Sequence, residues 1–188
     1  MPDTRLAAIR AALRDPKRWK RWALEALALL GIIVAITFWQ NSGLAEGTAP
    51  ALVGGDSDGF AVSLAEVRKD NAQDGVARPT LVVFWATWCP VCRAEEDNIE
   101  AVARDWPVLS VAMQSGDAED VDDHLLARRL TVSAVIDDDA DIAELWKVRG
   151  VPTHFIVDGA GNIRFRMVGY ASELGLRARL WWAERFPE

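Results

Sequence analysis

The chain has 188 residues, a hydrophobic fraction of 51% and a formal charge of −7, enough for one well-packed domain plus accessory segments. The charge is uneven. Before residue 22 the chain carries Arg5, Arg10, Arg14, Lys17, Arg18, Lys20 and Arg21 against Asp3 and Asp15, and most of the acidity lies beyond. An acidic main body excludes nucleic-acid binding, which needs a basic footprint.

Residues 3–15 read either as a short basic amphipathic helix on a membrane surface or as an unstructured tail. From Trp22 to Trp39 the sequence is apolar apart from Glu25. Eighteen helical residues span roughly 27 Å, close to the thickness of a bilayer's hydrocarbon core, so a transmembrane helix is predicted over 22–40. Trp19, Trp22 and Trp39 stand at belt positions. The cluster from Lys17 to Arg21 lies on one flank, and no Lys or Arg follows until Arg68. The positive-inside rule then places residues 1–21 in the cytoplasm and the rest across a bacterial inner membrane, in the periplasm. A cleaved signal peptide, processed at Ala49-Pro50-Ala51 or Gly43-Leu44-Ala45, is the competing reading. The basic head and apolar stretch are both long for one. Residues 41–58, rich in Gly, Ala and small polar side chains, read as a flexible periplasmic linker, leaving 59–188 as the folded domain.

Phe60, Val62 and Leu64 alternate as a short strand would. Thr80 to Trp85 is a continuous β-rich apolar run, the pattern of a central strand covered on both faces. A helix is predicted over 90–104, a strand over 108–113, a helix over 120–129 and a strand over 132–136. Asp137, Asp138 and Asp139 are cap candidates for a helix carrying Ile142, Leu145 and Trp146. His154–Asp158 and Ile163–Val168 flank Gly159-Ala-Gly-Asn162 as a hairpin, its second arm alternating with period two. A helix over 172–185 closes the chain. Strand–helix units followed by a hairpin and a helix give an α/β fold, a mixed central sheet flanked by helices.

Cys89 and Cys92 are the only cysteines. They sit two residues apart, after the central strand and at the start of a helix, in the stretch Trp88-Cys-Pro-Val-Cys92. In that setting the pair reads as a redox-active dithiol. Pro90 suits the first helical turn, where its missing N–H costs nothing. The helix N-terminus faces the Cys89 sulfur and favours thiolate. Cys92, one turn on, is expected to be the more buried. Cys89 is therefore the nucleophile that forms a mixed disulfide, and Cys92 resolves it. Zinc binding by the pair with His124 and His154 is the competing reading, but the spacing matches no compact zinc pattern. His124 reads as solvated and His154 as structural. The nine tryptophans divide between membrane flanks, the active-site stretch and ordinary packing.

Val82 to Cys92, Gly150-Val-Pro-Thr153 and Val168-Gly169 together resemble a thioredoxin-fold protein. More narrowly, they resemble the membrane-tethered periplasmic group that includes TlpA, ResA and DsbE. The Cys-Pro-Val-Cys tetrad and short anchor are most similar to the ScsD-like protein disulfide oxidoreductases of copper-tolerance systems. The similarity spans roughly residues 58–186 and is specific only around the cysteines. It implies a thioredoxin fold and a cis Val151–Pro152 peptide beside Cys89. It also implies a shallow substrate groove lined by Trp88, Pro90, Val91, Val151, Pro152 and Gly169. No cofactor is implied beyond the Cys89–Cys92 disulfide, and no metal. The implied partners are periplasmic protein thiols and disulfides, those of apocytochrome c and copper handling among them. A transmembrane electron donor of the DsbD, ScsB or CcdA kind would restore the dithiol.

The chain also departs from the pattern. Thioredoxin has a buried aspartate six residues before its first cysteine; Val83 stands there. Glu95 occupies the place of the acid that follows the second cysteine in the ResA-like group, i+3 from Cys92 and able to share its helix face. It is the candidate acceptor of the Cys92 proton; the alternative is that Glu95-Glu96-Asp97 only complements the helix N-terminus. Pro90-Val91 offers the Cys89 thiolate no charged or imidazole helper, which predicts a reducing potential. A copper-binding chaperone on the same fold is the alternative function, since two thiolates suit Cu(I).

Overall fold

The computed structural model describes residues 16–73 and 76–186 and divides into two units, Met1–Ser42 and Gly43–Glu188. The amphipathic segment expected over residues 3–15 lies outside the described residues. In the first unit, helix α1 runs Pro16–Asn41, with proline at a position that needs no backbone donor. Its segment Trp19–Asn41 is 23 residues long with a mean hydropathy of 2.0, long and apolar enough to cross a bilayer. Glu25, the one charge in the run, pairs with Arg21 one turn earlier at 3.1 Å.

The second unit is built on a six-stranded mixed sheet in the order β1-β10-β9-β6-β7-β8. The strands are β1 (Gly47–Thr48), β6 (Thr80–Trp85), β7 (Val108–Met113), β8 (Ala134–Asp137), β9 (Thr153–Val157) and β10 (Asn162–Val168). β6, β7 and β8 are parallel, and β9 runs antiparallel to β6 and β10. The helices are α2 (Leu64–Asp70), α3 (Pro90–Ala103), α4 (Ala118–Arg128), α5 (Asp141–Leu145) and α6 (Glu173–Arg185). Every residue of β6 is buried, because alternate side chains feed two separate cores. Val82 and Phe84 enter one with Trp146 and Phe155; Leu81 and Val83 enter the other with Ile99, Leu176 and Leu180. In the first core the rings of Phe84, Trp146 and Phe155 lie 4.8–5.9 Å apart.

Residues 43–58 are not a linker. Leu44, Ala45 and Leu52 are buried in the first core, and β1 adds to the edge of β10. Strand β2 (Val53–Gly55) then pairs with β3 (Ala61–Ser63), and Asp56 bridges to Val135 on β8. The segment thus joins opposite edges of the sheet and covers the face carrying Phe84. Its small residues suggested a tether, but two leucines and an alanine among them supply the burial. Leu64, expected to end a strand, is the first residue of α2. Ser63 caps that helix by accepting from the Glu66 amide at 3.1 Å, and its hydroxyl donates to Glu66 Oε2 at 2.7 Å. The signal was there in Ser63-x-x-Glu66, a capping-box spacing. The short pair β4 (Ala72–Gln73) and β5 (Val76–Ala77) carried no comparable signal.

Two further expectations change. The alternation in β10 does not give one buried and one exposed face, because the register shifts between Ile163 and Phe165. Ile163 and Val168 therefore pack with the first core, and Phe165 and Met167 with the second. Of the three aspartates before α5, Asp137 is the acceptor, taking the Ile142 and Ala143 amides at 2.9 Å each. Ile142 and Trp146 are buried, but Leu145 is exposed. This helix is a single short turn, so only part of the predicted face meets the core.

Leu52, 2% exposed, separates a tether from a structural strap. Leu52→Ala should destabilise the full chain by about 2–5 kcal/mol in urea unfolding, whereas a tether residue would cost under about 0.5 kcal/mol.

Candidate active site

β6 ends at Trp85 and α3 begins at Pro90, so Ala86–Cys89 turns the chain off the sheet's end. Two contacts hold this turn to the loop after β7. The Thr87 amide donates to Ser115 Oγ at 3.1 Å, and the Trp88 indole donates to the Gln114 carbonyl at 2.9 Å. Cys89 is the N-cap of α3 with proline directly after it. Its Sγ accepts the Cys92 amide at 3.1 Å, one of the orphan donors that a helix start presents. Cys89 and Cys92 are joined as a disulfide. Cys92, expected to be the more buried, is 2% exposed, and in the oxidised pair Cys89 is enclosed as well, at 3%. The reason is geometric: the Cys89 sulfur turns inward toward its partner and lies 3.7 Å from the Val151 carbonyl oxygen. Around it Trp88, Pro90 and Val91 are exposed.

The Val151–Pro152 peptide is cis. Val151 is half-buried against the cysteine cluster, and the Pro152 carbonyl accepts the Gly169 amide at 2.8 Å. Gly169 has φ +92, a left-handed conformation that favours glycine. The residues named for the groove thus come from three segments that meet: Trp88, Pro90 and Val91 at the α3 start, Val151 and Pro152 before β9, and Gly169 after β10.

Glu95 is 1% exposed. Its Oε1 lies 2.8 Å from His154 Nε2, and its Oε2 accepts the Ala171 amide at 2.8 Å. A carboxyl group this deep needs such partners. Of the three acids that could complement the helix N-terminus, Glu95 and Glu96 are buried and Asp97 is exposed. His154 is fully buried on β9, directly across from Val83 on β6, so the valine at thioredoxin's aspartate position has an acid–imidazole pair beside it. A cavity of about 40 Å³, large enough for water, is lined by Val83, Cys92 and Glu95 and extends past Glu96 and Glu100.

A second polar cluster flanks the first. Glu96 bonds His124 at 2.8 Å and Arg128 at 2.7 Å, both on α4. Hydrogen bonding to Glu96 raises the Arg128 pKa above its ordinary value. His124, expected to be solvated, is only partly exposed, because Trp85 packs against its ring with centroids 5.3 Å apart. Glu100 accepts the Thr131 and Val132 amides. Among the described residues no group of three or more His, Cys, Asp or Glu side chains is placed to hold a metal ion. Gln114, Ser115, Ala171 and the pairing of His154 escaped the sequence reading. Only His154, two residues after Pro152 on a predicted strand, left a usable signal.

The AhpC/TSA family matches residues 46–166. A thioredoxin-like protein of Haemophilus influenzae is 36% identical over 110 residues, covering 58% of this chain and 65% of its own length. The thiol:disulfide interchange protein DsbE of Escherichia coli K12 is 29% identical over 174 residues, covering 87% of this chain and 91% of its own. Among solved structures, a secreted disulfide oxidoreductase of Mycobacterium tuberculosis superposes with a TM-score of 0.58 at 18% identity, covering 70% of this chain and 95% of that one.

Proposed function

The chain belongs to the AhpC/TSA family and is a thioredoxin-like thiol–disulfide oxidoreductase, and we propose that it reduces protein disulfides in the periplasm from a single N-terminal membrane anchor. The observation that carries this reading is the Cys89 sulfur at the α3 N-cap, beside the Val151 carbonyl and under an exposed rim of Trp88, Pro90 and Val91. In the dithiol form, the Cys89 thiolate is favoured by the Cys92 amide and the helix N-terminus. It attacks one sulfur of a guest disulfide, and the other guest sulfur leaves as thiolate. The Cys92 thiolate then attacks Cys89 Sγ, re-forming the internal disulfide and releasing the second guest thiol. The groove formed by Val151, Pro152 and Gly169 receives the guest backbone.

The residues beside Cys89 support the reducing direction. Strong oxidants stabilise their reduced form, and Pro90-Val91 contributes neither charge nor imidazole to do so. A transmembrane donor of the DsbD, ScsB or CcdA kind would then return the chain to its dithiol. The resemblance to DsbE makes apocytochrome c disulfides one substrate class, and the ScsD-like features make disulfides of copper-handling proteins another. The copper-chaperone alternative receives no specific support: His124 and His154 are each engaged by a carboxylate.

Glu95 serves as the proton acceptor for Cys92. The two side chains line one cavity, so transfer is direct or through one water. The group that Val83 cannot provide is thus supplied from the helix.

Three measurements test these statements on the full chain in detergent. Redox titration should give a potential nearer thioredoxin's, roughly −270 mV, than DsbA's, roughly −120 mV; a DsbA-like value overturns the reducing direction. Cys92→Ala should accumulate mixed disulfides on Cys89 in periplasmic extracts, and a failure to trap any would refute protein disulfides as substrates. Glu95→Gln should slow resolution of a defined mixed disulfide by roughly 10²-fold and displace its pH profile to higher pH. An unchanged profile removes Glu95 from the proton step.

A further inference from the structure

His154 has no part in the disulfide chemistry as described, yet it is fully buried and spends its Nε2 on Glu95 at 2.8 Å. Its other nitrogen, Nδ1, is buried with no hydrogen-bond partner among the described residues. Those two facts favour one tautomer of the ring. If the ring were an imidazolium, or neutral with its hydrogen on Nδ1, a buried N–H would have no acceptor. Buried orphan donors are the rarer and costlier kind of unpaired group. With the hydrogen on Nε2, the unpaired site is a lone pair, and Nε2–H donates to Glu95 Oε1. Together with the Ala171 amide on Oε2, the carboxylate then has one donor for each oxygen.

We propose that His154 is a positioning residue that remains neutral through the cycle and holds Glu95 as a carboxylate, so that Glu95, and not the imidazole, takes the Cys92 proton. This inference rests on the reading of Glu95 as that acceptor. Each oxygen of this buried carboxyl group, 1% exposed, has one hydrogen-bond partner. A protonated Glu95 could not accept. The balance of the step is simple. The Cys92 thiol loses its proton to Glu95, its sulfur bonds to Cys89 Sγ, and the Cys89–guest bond breaks. The guest leaves as thiolate and takes a proton from solvent, while Glu95 later returns its own.

The surrounding groups do not supply a substitute. On α3, Cys92, Glu96 and Glu100 share the cavity with Glu95. From α4, His124 and Arg128 are turned to Glu96. β6 and β7 contribute Val83, Trp85 and Ser110 to the lining. The loop before α6 contributes the Ala171 amide, while Tyr170 is exposed and bonds Asn98.

The test compares His154→Gln, whose amide N–H reaches the Nε2 position, with His154→Leu, which has no donor, and His154→Asn, whose amide is too short. All are full chains in detergent, with Glu95→Gln beside them. The resolution rate of a defined mixed disulfide is followed against pH, and the His154 ring is read by 15N NMR in the unmutated chain. The expected result is a rate loss of about tenfold at neutral pH and an alkaline displacement of about one pH unit for His154→Leu and His154→Asn. His154→Gln should stay within about threefold, and the ring should hold the neutral Nε2–H form from pH 5 to 9. His154→Asn keeps the comparison decisive if His154→Leu fails to fold. If Glu95→Gln displaces the profile but His154→Gln behaves as His154→Asn, or the ring titrates to imidazolium, the His154 inference is overturned alone. If Glu95→Gln displaces nothing, the Glu95 reading falls and takes this one with it.

Discussion

A carboxylate at 1% exposure has to be met by donors from the surrounding fold, and the way Glu95 is met organises this domain's working end. Glu95 sits one turn into α3, behind the disulfide. One oxygen reaches His154, two residues after the cis-proline; the other reaches the Ala171 amide, two residues after Gly169. Helix, proline loop and hairpin exit are therefore drawn to one buried carboxyl group. Because partly satisfied polar networks in a core are costly, displacing the helix would unpair both partners, and displacing either of the other segments would leave one Glu95 oxygen without its hydrogen bond. Pro152 and Gly169, each two residues from one of these contacts, share this constraint.

The sheet places the chemistry as much as the helix does. β6 is buried on both faces, so its direction and end point are fixed by two cores at once. The cysteine turn leaves from that fixed end and is braced from the side by Gln114 and Ser115. The strap from Gly43 to Ser63 completes the first core, with Leu44 and Leu52 packed in the same cluster as Phe84 and Trp146. A stretch that looks like spacer in composition thereby underwrites the position of the sulfur pair. On the opposite side of the site, Glu96 with His124 and Arg128 ties α3 to α4, so the helix carrying both Cys92 and Glu95 is held along its length.

Most of the sheet was legible because its strands carry strong local signals. Thr80–Trp85 and Val108–Met113 are continuous apolar runs whose predicted and observed limits coincide. Helices α3, α4 and α6 were legible to within two residues at their ends, whereas α1 begins at Pro16 rather than at residue 22 and α2 was read as the end of a strand. Failures fell where local pattern and tertiary packing diverge. The Gly- and Ala-rich stretch before residue 58 has too few apolar residues to announce strands; β1 forms against the edge strand β10 and β2 against β3. The β10 register shift is invisible in a sequence whose alternation looks regular. Leu145 completes a helical pattern in a helix too short to bury it.

Taken by itself, the sequence determined the apolar span, the α/β succession and a dithiol at a strand-to-helix junction. Each of these depends on neighbours within one or two turns of chain, where periodicity, proline and cysteine spacing speak directly. Only the tertiary structure decided what stands behind Cys92. Glu95 is 59 residues from His154 and 76 from Ala171 along the chain. No local pattern reports which distant donors a carboxylate will meet, because that choice is made by the pairing of β9 with β6 and the packing of α3 on the sheet. The same reason explains the strap and the oxidised pair's equal burial. Both are settled by contacts between segments far apart in sequence, which the fold brings within reach.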